Sequence, residues 1–225
     1  MSMPFYVAPE QFMKDKADYA RKGIARGRAL VAAVYDAGIV LAAENPSTNL
    51  HKVSEIYDRI AFAGVGRYNE FDQLRVAGVQ HADSKGYQYS REDVDARALA
   101  NLYAQHLGLV FTHEAKPFEV EILVAEVAPS PDGDQLFRVL YDGTVSDETN
   151  FSALGGDSET IGERMTAAFE AGWTLAAALK ASVGALAGPE RTLAAADLEV
   201  AVLDRAAPRR AFRRLTDGEV ESLLA

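Results

Sequence analysis

Hydrophobic and polar positions along the chain change period several times, and each change marks an element. Pro9 suits a first helical turn, where its missing amide has no intrahelical partner. Behind it Met13, Ala17, Ala20 and Ile24 recur at helical spacing while Lys14, Asp15, Asp18 and Lys22 face elsewhere, and Gly23 and Gly27 favour the helix end. Ala29 to Tyr35 and Ile39 to Ala43 are nearly unbroken apolar runs joined by Asp36-Ala37-Gly38. That pattern predicts two tightly joined strands covered on both faces. Asn45-Pro46-Ser47 interrupts it, and Lys52 to Ile56 with Ile60 to Val65 predict a second strand pair around a charged corner at Asp58-Arg59.

Helices follow over Asn69 to Ala82 and over a segment capped by Ser90 with Asp93 three residues on, its apolar side carrying Val94, Ala98, Leu102 and Leu109. Alternation at Val120, Ile122 and Val124 then marks Glu119 to Val127 as a strand, and Gln135 to Tyr141 leads through Asp142-Gly143 into a further short one. After Gly155-Gly156, two helices fit Asp157 to Ala171 and Trp173 to Ala187; Leu198 to Leu203 and Ala211 to Leu215 are late strands, and the end is helical. The predicted order is helix, four strands, two helices, two or three strands, two helices, two strands, helix. Strands too apolar for one-sided exposure, alternating with helix pairs, predict an α+β fold: a four-layer αββα sandwich of two stacked antiparallel sheets flanked by helices. No repeat or long linker divides it, so residues 9–225 are expected to form a single domain behind a flexible segment, residues 1–8.

Composition narrows the function classes. A chain of 225 residues with 48% apolar content can bury roughly 70% of its unfolded surface in one core. Lys+Arg 23 against Asp+Glu 33 leaves a net charge of −10, a field that disfavours nonspecific binding to nucleic acid or an anionic membrane. The run Arg209, Arg210, Arg213, Arg214 is the local exception, and short charge runs usually lie on a solvated face or meet an acidic neighbour. The lack of cysteine excludes disulfides, a thiol nucleophile and thiolate metal sites, and suits a reducing cytoplasm. MSMPFYVAPEQF has no basic-then-apolar signal pattern, and no run approaches the ~20 apolar residues of a membrane span, so a cytoplasmic location is expected.

Short motifs offer little chemistry. His51, His81, His106 and His113 include no i, i+4 pair with an intervening acid, so neither a metal nor another cofactor is expected. Gly64-Val65-Gly66-Arg67-Tyr68-Asn69 begins like a dinucleotide fingerprint but has Asn69 at the third glycine, which favours a plain strand-to-helix turn of small residues. No nucleophile elbow or P-loop is present.

Longer blocks carry more information. YARKGIARGR (Tyr19 to Arg28), AAENPSTNLHKVSEIYDRIAFAGVGRYNEF (Ala42 to Phe71), GVQHADSKGYQYSREDV (Gly78 to Val94) and LEVAVLDRAAPRRAFRRL (Leu198 to Leu215) closely resemble proteasome core-particle α subunits of the actinobacterial type, over most of the chain. The resemblance implies the Ntn-hydrolase sandwich, in agreement with the element order. It also implies a division of labour. Catalytic β-type members expose a threonine at the head of the first strand, whose own α-amino group accepts the proton. Here the strand starts near Arg28 and Ala29, with more than two dozen residues ahead of it, so a non-catalytic subunit is implied; Glu44 and Lys52 lie where catalytic relatives keep an acid and a lysine. The alternative, a stand-alone Ntn-type hydrolase activated by processing, has only Ser47, Thr48 and Ser54 to draw on, all too late to lead the first strand.

Further implications concern partners. The resemblance implies heptameric rings of identical copies against rings of β subunits, with an AAA-type ATPase ring or other activator docking through C-terminal tails. Lys52 then lines the tail pocket and pairs with a terminal carboxylate, and Ala32 falls on the pocket's small residue. Ser2, Met3, Pro4, Phe5, Tyr6, Val7 and Ala8 make up the segment that closes the entry pore, with Phe5, Tyr6 and Val7 as its apolar contacts. Archaeal and eukaryotic α subunits carry a Tyr-Asp-Arg turn before this helix; Tyr6-Val7-Ala8 stands here instead, and Tyr57-Asp58-Arg59 belongs to another element.

Overall fold

The computed structural model describes residues 8–225. Its helices are α1 (Pro9–Ala25), α2 (Tyr68–Gln88), α3 (Ala96–His113), α4 (Ser158–Ala168), α5 (Leu175–Ala187) and α6 (Asp217–Leu224). Its strands are β1 (Leu30–Tyr35), β2 (Gly38–Glu44), β3 (Val53–Tyr57), β4 (Ile60–Gly66), β5 (Val120–Glu126), β6 (Gln135–Val139), β7 (Val145–Glu148), β8 (Phe151–Leu154), β9 (Leu198–Asp204) and β10 (Phe212–Arg214). One five-stranded sheet runs β10-β9-β2-β1-β8 and the other β3-β4-β5-β6-β7, with every pairing antiparallel.

Strand alternation builds the four layers. On β1 and β2 the side chains of Leu30, Ala32, Ile39, Leu41 and Ala43 enter the core between the sheets, where they meet Ala61, Ala63, Val65, Leu123 and Ala125 of the other sheet. Val31, Ala33, Val40 and Ala42 point the opposite way, under α4, α5 and α6 with Met165, Leu179 and Val220. On the second sheet Phe62, Ile122 and Val124 pack beneath α2 and α3 against Phe71, Leu99, Tyr103 and Leu107. The order is α2/α3, sheet, sheet, α4/α5/α6, which is the predicted sandwich. Full burial of each large apolar side chain is worth about 1.5 to 3 kcal/mol, so both faces of the central strands contribute.

The predicted turn of small residues after β4 is present. Gly66 sits at φ 107°, a conformation that favours glycine, and a Cβ there would lie 2.0 Å from the Glu119 carbonyl oxygen. Other expectations need correction. Ser90 caps only a short 3₁₀ turn, Arg91–Asp93, whereas α3 begins at Ala96 with the Asp95 carboxylate accepting from the Ala98 amide at 2.8 Å. Its buried side is Ala96, Leu99, Ala100, Tyr103 and Leu107; Leu109, assigned to that side from spacing, is exposed. The later strands include one more than the upper count, because β8 adds to the edge of β1. On α1, Ala20 and Ile24 are buried as expected, but the third buried residue is Lys16. Its ammonium donates to the Phe111 and Glu114 carbonyls at 2.9 and 2.6 Å, at the C-terminal end of α3, where a helix dipole favours a cation. Among the described residues, no helix is long and apolar enough to cross a membrane.

Candidate docking site

At one end of the sandwich the heads of β1 and β3 come together with the tail of β2. The chain reaches β1 through Arg28 and Ala29, so neither residue on the approach to the strand carries a hydroxyl. Arg28 Nη1 lies 3.3 Å from Glu44 Oε1 at the end of β2, and Arg191 grips the same carboxylate with two contacts of 3.2 Å. Lys52, just ahead of β3, extends its ammonium to the Arg28 carbonyl at 2.6 Å. The acid and the lysine anticipated in sequence therefore do converge, on the two ends of Arg28.

This setting changes the lysine. Burial removes water from the ammonium and the Arg28 charge repels it, so the Lys52 pKa falls from 10.5 to about 8, although Glu199 and Glu44 pull the other way. A protonated Lys52 at this position is a half-buried cation with one carbonyl acceptor, and a carboxylate is the partner its remaining donors fit best. Beside it opens a cleft of about 560 Å³, lined by Arg26, Arg28, Arg164, Arg191, Glu44 and the start of α4. Among the described residues, the one hydroxyl side chain lining this cleft is that of Thr160, inside α4.

Ala32 is elsewhere. It is fully buried between the sheets, on the inward face of β1, where no tail can touch it. Part-exposed small residues at this end include Gly27 and Gly66: a Cβ on Gly27 would lie 2.9 Å from the Gly66 amide nitrogen, so the two backbones are in close approach. Of the gate segment, residues 1–7 lie outside the described residues. Ala8 is the N-cap residue of α1, and its carbonyl accepts from the Phe12 amide at 3.0 Å.

The four late arginines meet carboxylates of their own chain. Arg209 faces Asp58, Arg210 Glu55, Arg213 Glu219 and Arg214 Glu199, so the basic run is an internal set of ion pairs. Sequence reading missed Glu199, Arg191 and the capping role of the Arg28 carbonyl. For Glu199 there was a signal: an acid inside the apolar run LEVAVL, which in a strand buried on both faces needs a partner.

Residues 24–202 match the family model described as Proteasome subunit. The chain belongs to the proteasome subunit family. Within it the chain is α-type. It is 63% identical over 224 residues to the proteasome subunit alpha of Acidimicrobium ferrooxidans, spanning 100% of this chain and 97% of that one. It is 60% identical to that of Sanguibacter keddieii (100% and 90%) and 57% identical to that of Thermomonospora curvata (100% and 99%). In this proteasome subunit, the approach to β1 holds an arginine whose side chain and carbonyl each engage one of the flanking polar groups.

Proposed function

We propose that this α-type subunit forms the outer, non-cutting rings of a proteasome core particle, closes the entry pore with residues 1–8 and opens it when activator tails dock at Lys52. Identical copies form heptameric rings on rings of β subunits in the cytoplasm, with residues 9–225 as one sandwich domain. Cutting belongs to the β subunits, because a threonine-type mechanism needs a hydroxyl and a free α-amine on one residue at the head of β1, and the chain passes through that point as Arg28 within a continuous peptide.

The observation that supports docking is the Lys52 ammonium, half-desolvated and, among the described residues, hydrogen-bonded through the Arg28 carbonyl alone. A tail ending in a carboxylate replaces that neutral acceptor with a charged one, a gain of roughly 1.5 to 3 kcal/mol. Gly27 and Gly66, rather than Ala32, supply the small residues over which a tail backbone can pass. Several such pockets in a ring act together, and tails that prefer the open state shift the gate population.

In the assembled particle, Lys52→Ala is expected to abolish ATPase-stimulated protein degradation while small-peptide hydrolysis stays at the wild-type rate. Undiminished stimulation removes Lys52 from the mechanism. Peptidase turnover by the purified chain without β subunits overturns its non-cutting role.

A further inference from the structure

Glu199 is a buried carboxylate on β9, on the sheet that does not carry Lys52, and it spends its acceptor capacity on the segment that does. Its Oε2 accepts from the Lys52 amide at 2.8 Å and from Asn45 Nδ2 at 2.8 Å, and its Oε1 accepts from the Val53 amide at 3.2 Å. Asn45 Nδ2 also donates to the Leu50 carbonyl at 2.8 Å, so both ends of the exposed loop between β2 and β3 are tied to one carboxylate. Arg214, on the edge strand β10, donates to Glu199 Oε1 and through Nη2 to the Val53 carbonyl at 2.8 Å. The peptide groups on both sides of Lys52 Cα are thereby fixed from across the sandwich.

We infer that Glu199, braced by Arg214, is a positioning residue for docking: it sets the backbone from which the Lys52 side chain projects, and so the direction in which the ammonium meets a tail carboxylate. The inference rests on the docking role proposed for Lys52. It follows from an asymmetry in the contacts. A buried acid placed only for stability needs one good cationic partner, and Arg214 already provides it. Glu199 instead accepts two consecutive amides and a loop side chain, all within the Lys52 segment, which is how an orienting group holds a ligating one.

The test uses the assembled particle and a synthetic peptide copying the C-terminal tail of its stimulating ATPase, as free acid and as C-terminal amide. Glu199→Gln keeps the size but replaces one acceptor oxygen with an NH2 donor, so the side chain no longer accepts from the Lys52 and Val53 amides together. Rings of this variant are expected to bind the free acid about tenfold more weakly, the lower end of what loss of an orienting group costs at metal ligands. Binding of the amide stays unchanged. The second readout is the Lys52 ammonium titration followed by nuclear magnetic resonance. The groups facing it are Arg28, Glu44 and Glu199, with His51 3.3 Å from Glu199. Removing the Glu199 charge is expected to move its midpoint down, which shows that the carboxylate faces Lys52, while the free-acid against amide difference reads the orienting role. If Glu199→Gln rings fail to assemble, Asn45→Ala carries the test, since it cuts one tie to the loop and leaves β9, β10 and Arg214 in place; its expected effect is about threefold. Lys52→Ala abolishing binding while Glu199→Gln or Asn45→Ala leaves both binding and titration at wild-type values overturns the inference and spares the docking site. Binding that survives Lys52→Ala overturns both.

Discussion

A lysine at the head of a strand ordinarily keeps its ammonium in water, but Lys52 gives up part of its hydration and faces the Arg28 charge. Docking through this group must then depend on pH in a definite direction. A tail carboxylate needs the protonated amine, so affinity is level below about pH 8 and falls as pH rises past it, approaching about tenfold per unit once free Lys52 is mostly neutral. Isothermal titration of tail peptide at pH 7, 8 and 9, in buffers of different ionisation enthalpy, is expected to show proton uptake on binding near pH 8. An affinity that is flat to pH 9.5 contradicts a desolvated lysine at the contact. Little of this was legible residue by residue. Lys52 stood out only through the resemblance, and its environment comes from Arg28 and Glu199, which are 24 and 147 positions away. The burial of Ala32 was not legible for a physical reason: in a run apolar on both faces, sequence does not tell which side chains enter the central core, and Ala32 does.

At the scale of elements, the strands buried on both faces were legible because nothing but a central strand tolerates such uninterrupted apolar runs. The elements that failed depend on choices among near neighbours. Ser90 and Asp95 are both good capping residues, and sequence favoured the first; the chain instead makes a 3₁₀ turn after Ser90 and starts α3 at Asp95. The two sites therefore differ in weight. Asp95→Ala is expected to cost about 1 kcal/mol of stability through loss of the cap, whereas Ser90→Ala stays within about 0.5 kcal/mol. Denaturant unfolding of the two variants checks this, and equal losses contradict the assignment. The strand β8 escaped notice because it has four residues and draws its stability from pairing with β1 rather than from a pattern of its own. Lys16 was absent from the apolar stripe read on α1 because such a stripe is built from apolar residues, while its burial depends on the open carbonyls ending α3.

For the whole molecule, the layer order was legible because groups of strands and pairs of helices alternate, and that alternation leaves few ways to cover two sheets. It also fixes the helix from which the proposed gate segment departs. α1 is fixed at both levels: Ala20 and Ile24 enter the core between the sheets, and Lys16 ties the helix to the end of α3. If residues 1–8 act as the proposed gate, the helix that follows them from Pro9 is a rigid base, and the effect on the pore rests on the segment's own residues, for which Phe5, Tyr6 and Val7 are the proposed apolar contacts. Removing residues 1–7 tests this without disturbing the base, because the Ala8 carbonyl that accepts from the Phe12 amide remains. In the assembled particle the deletion is expected to raise basal turnover of small peptides several-fold, to make it nearly independent of the ATPase, and to leave the melting temperature of the rings unchanged. The Lys52→Ala exchange added to the deletion is expected to change nothing further in peptide turnover, since a pore without a plug has no use for a docking signal. Unchanged basal turnover after the deletion places the barrier outside residues 1–7, and a further fall on adding Lys52→Ala means that docking acts on something other than the gate.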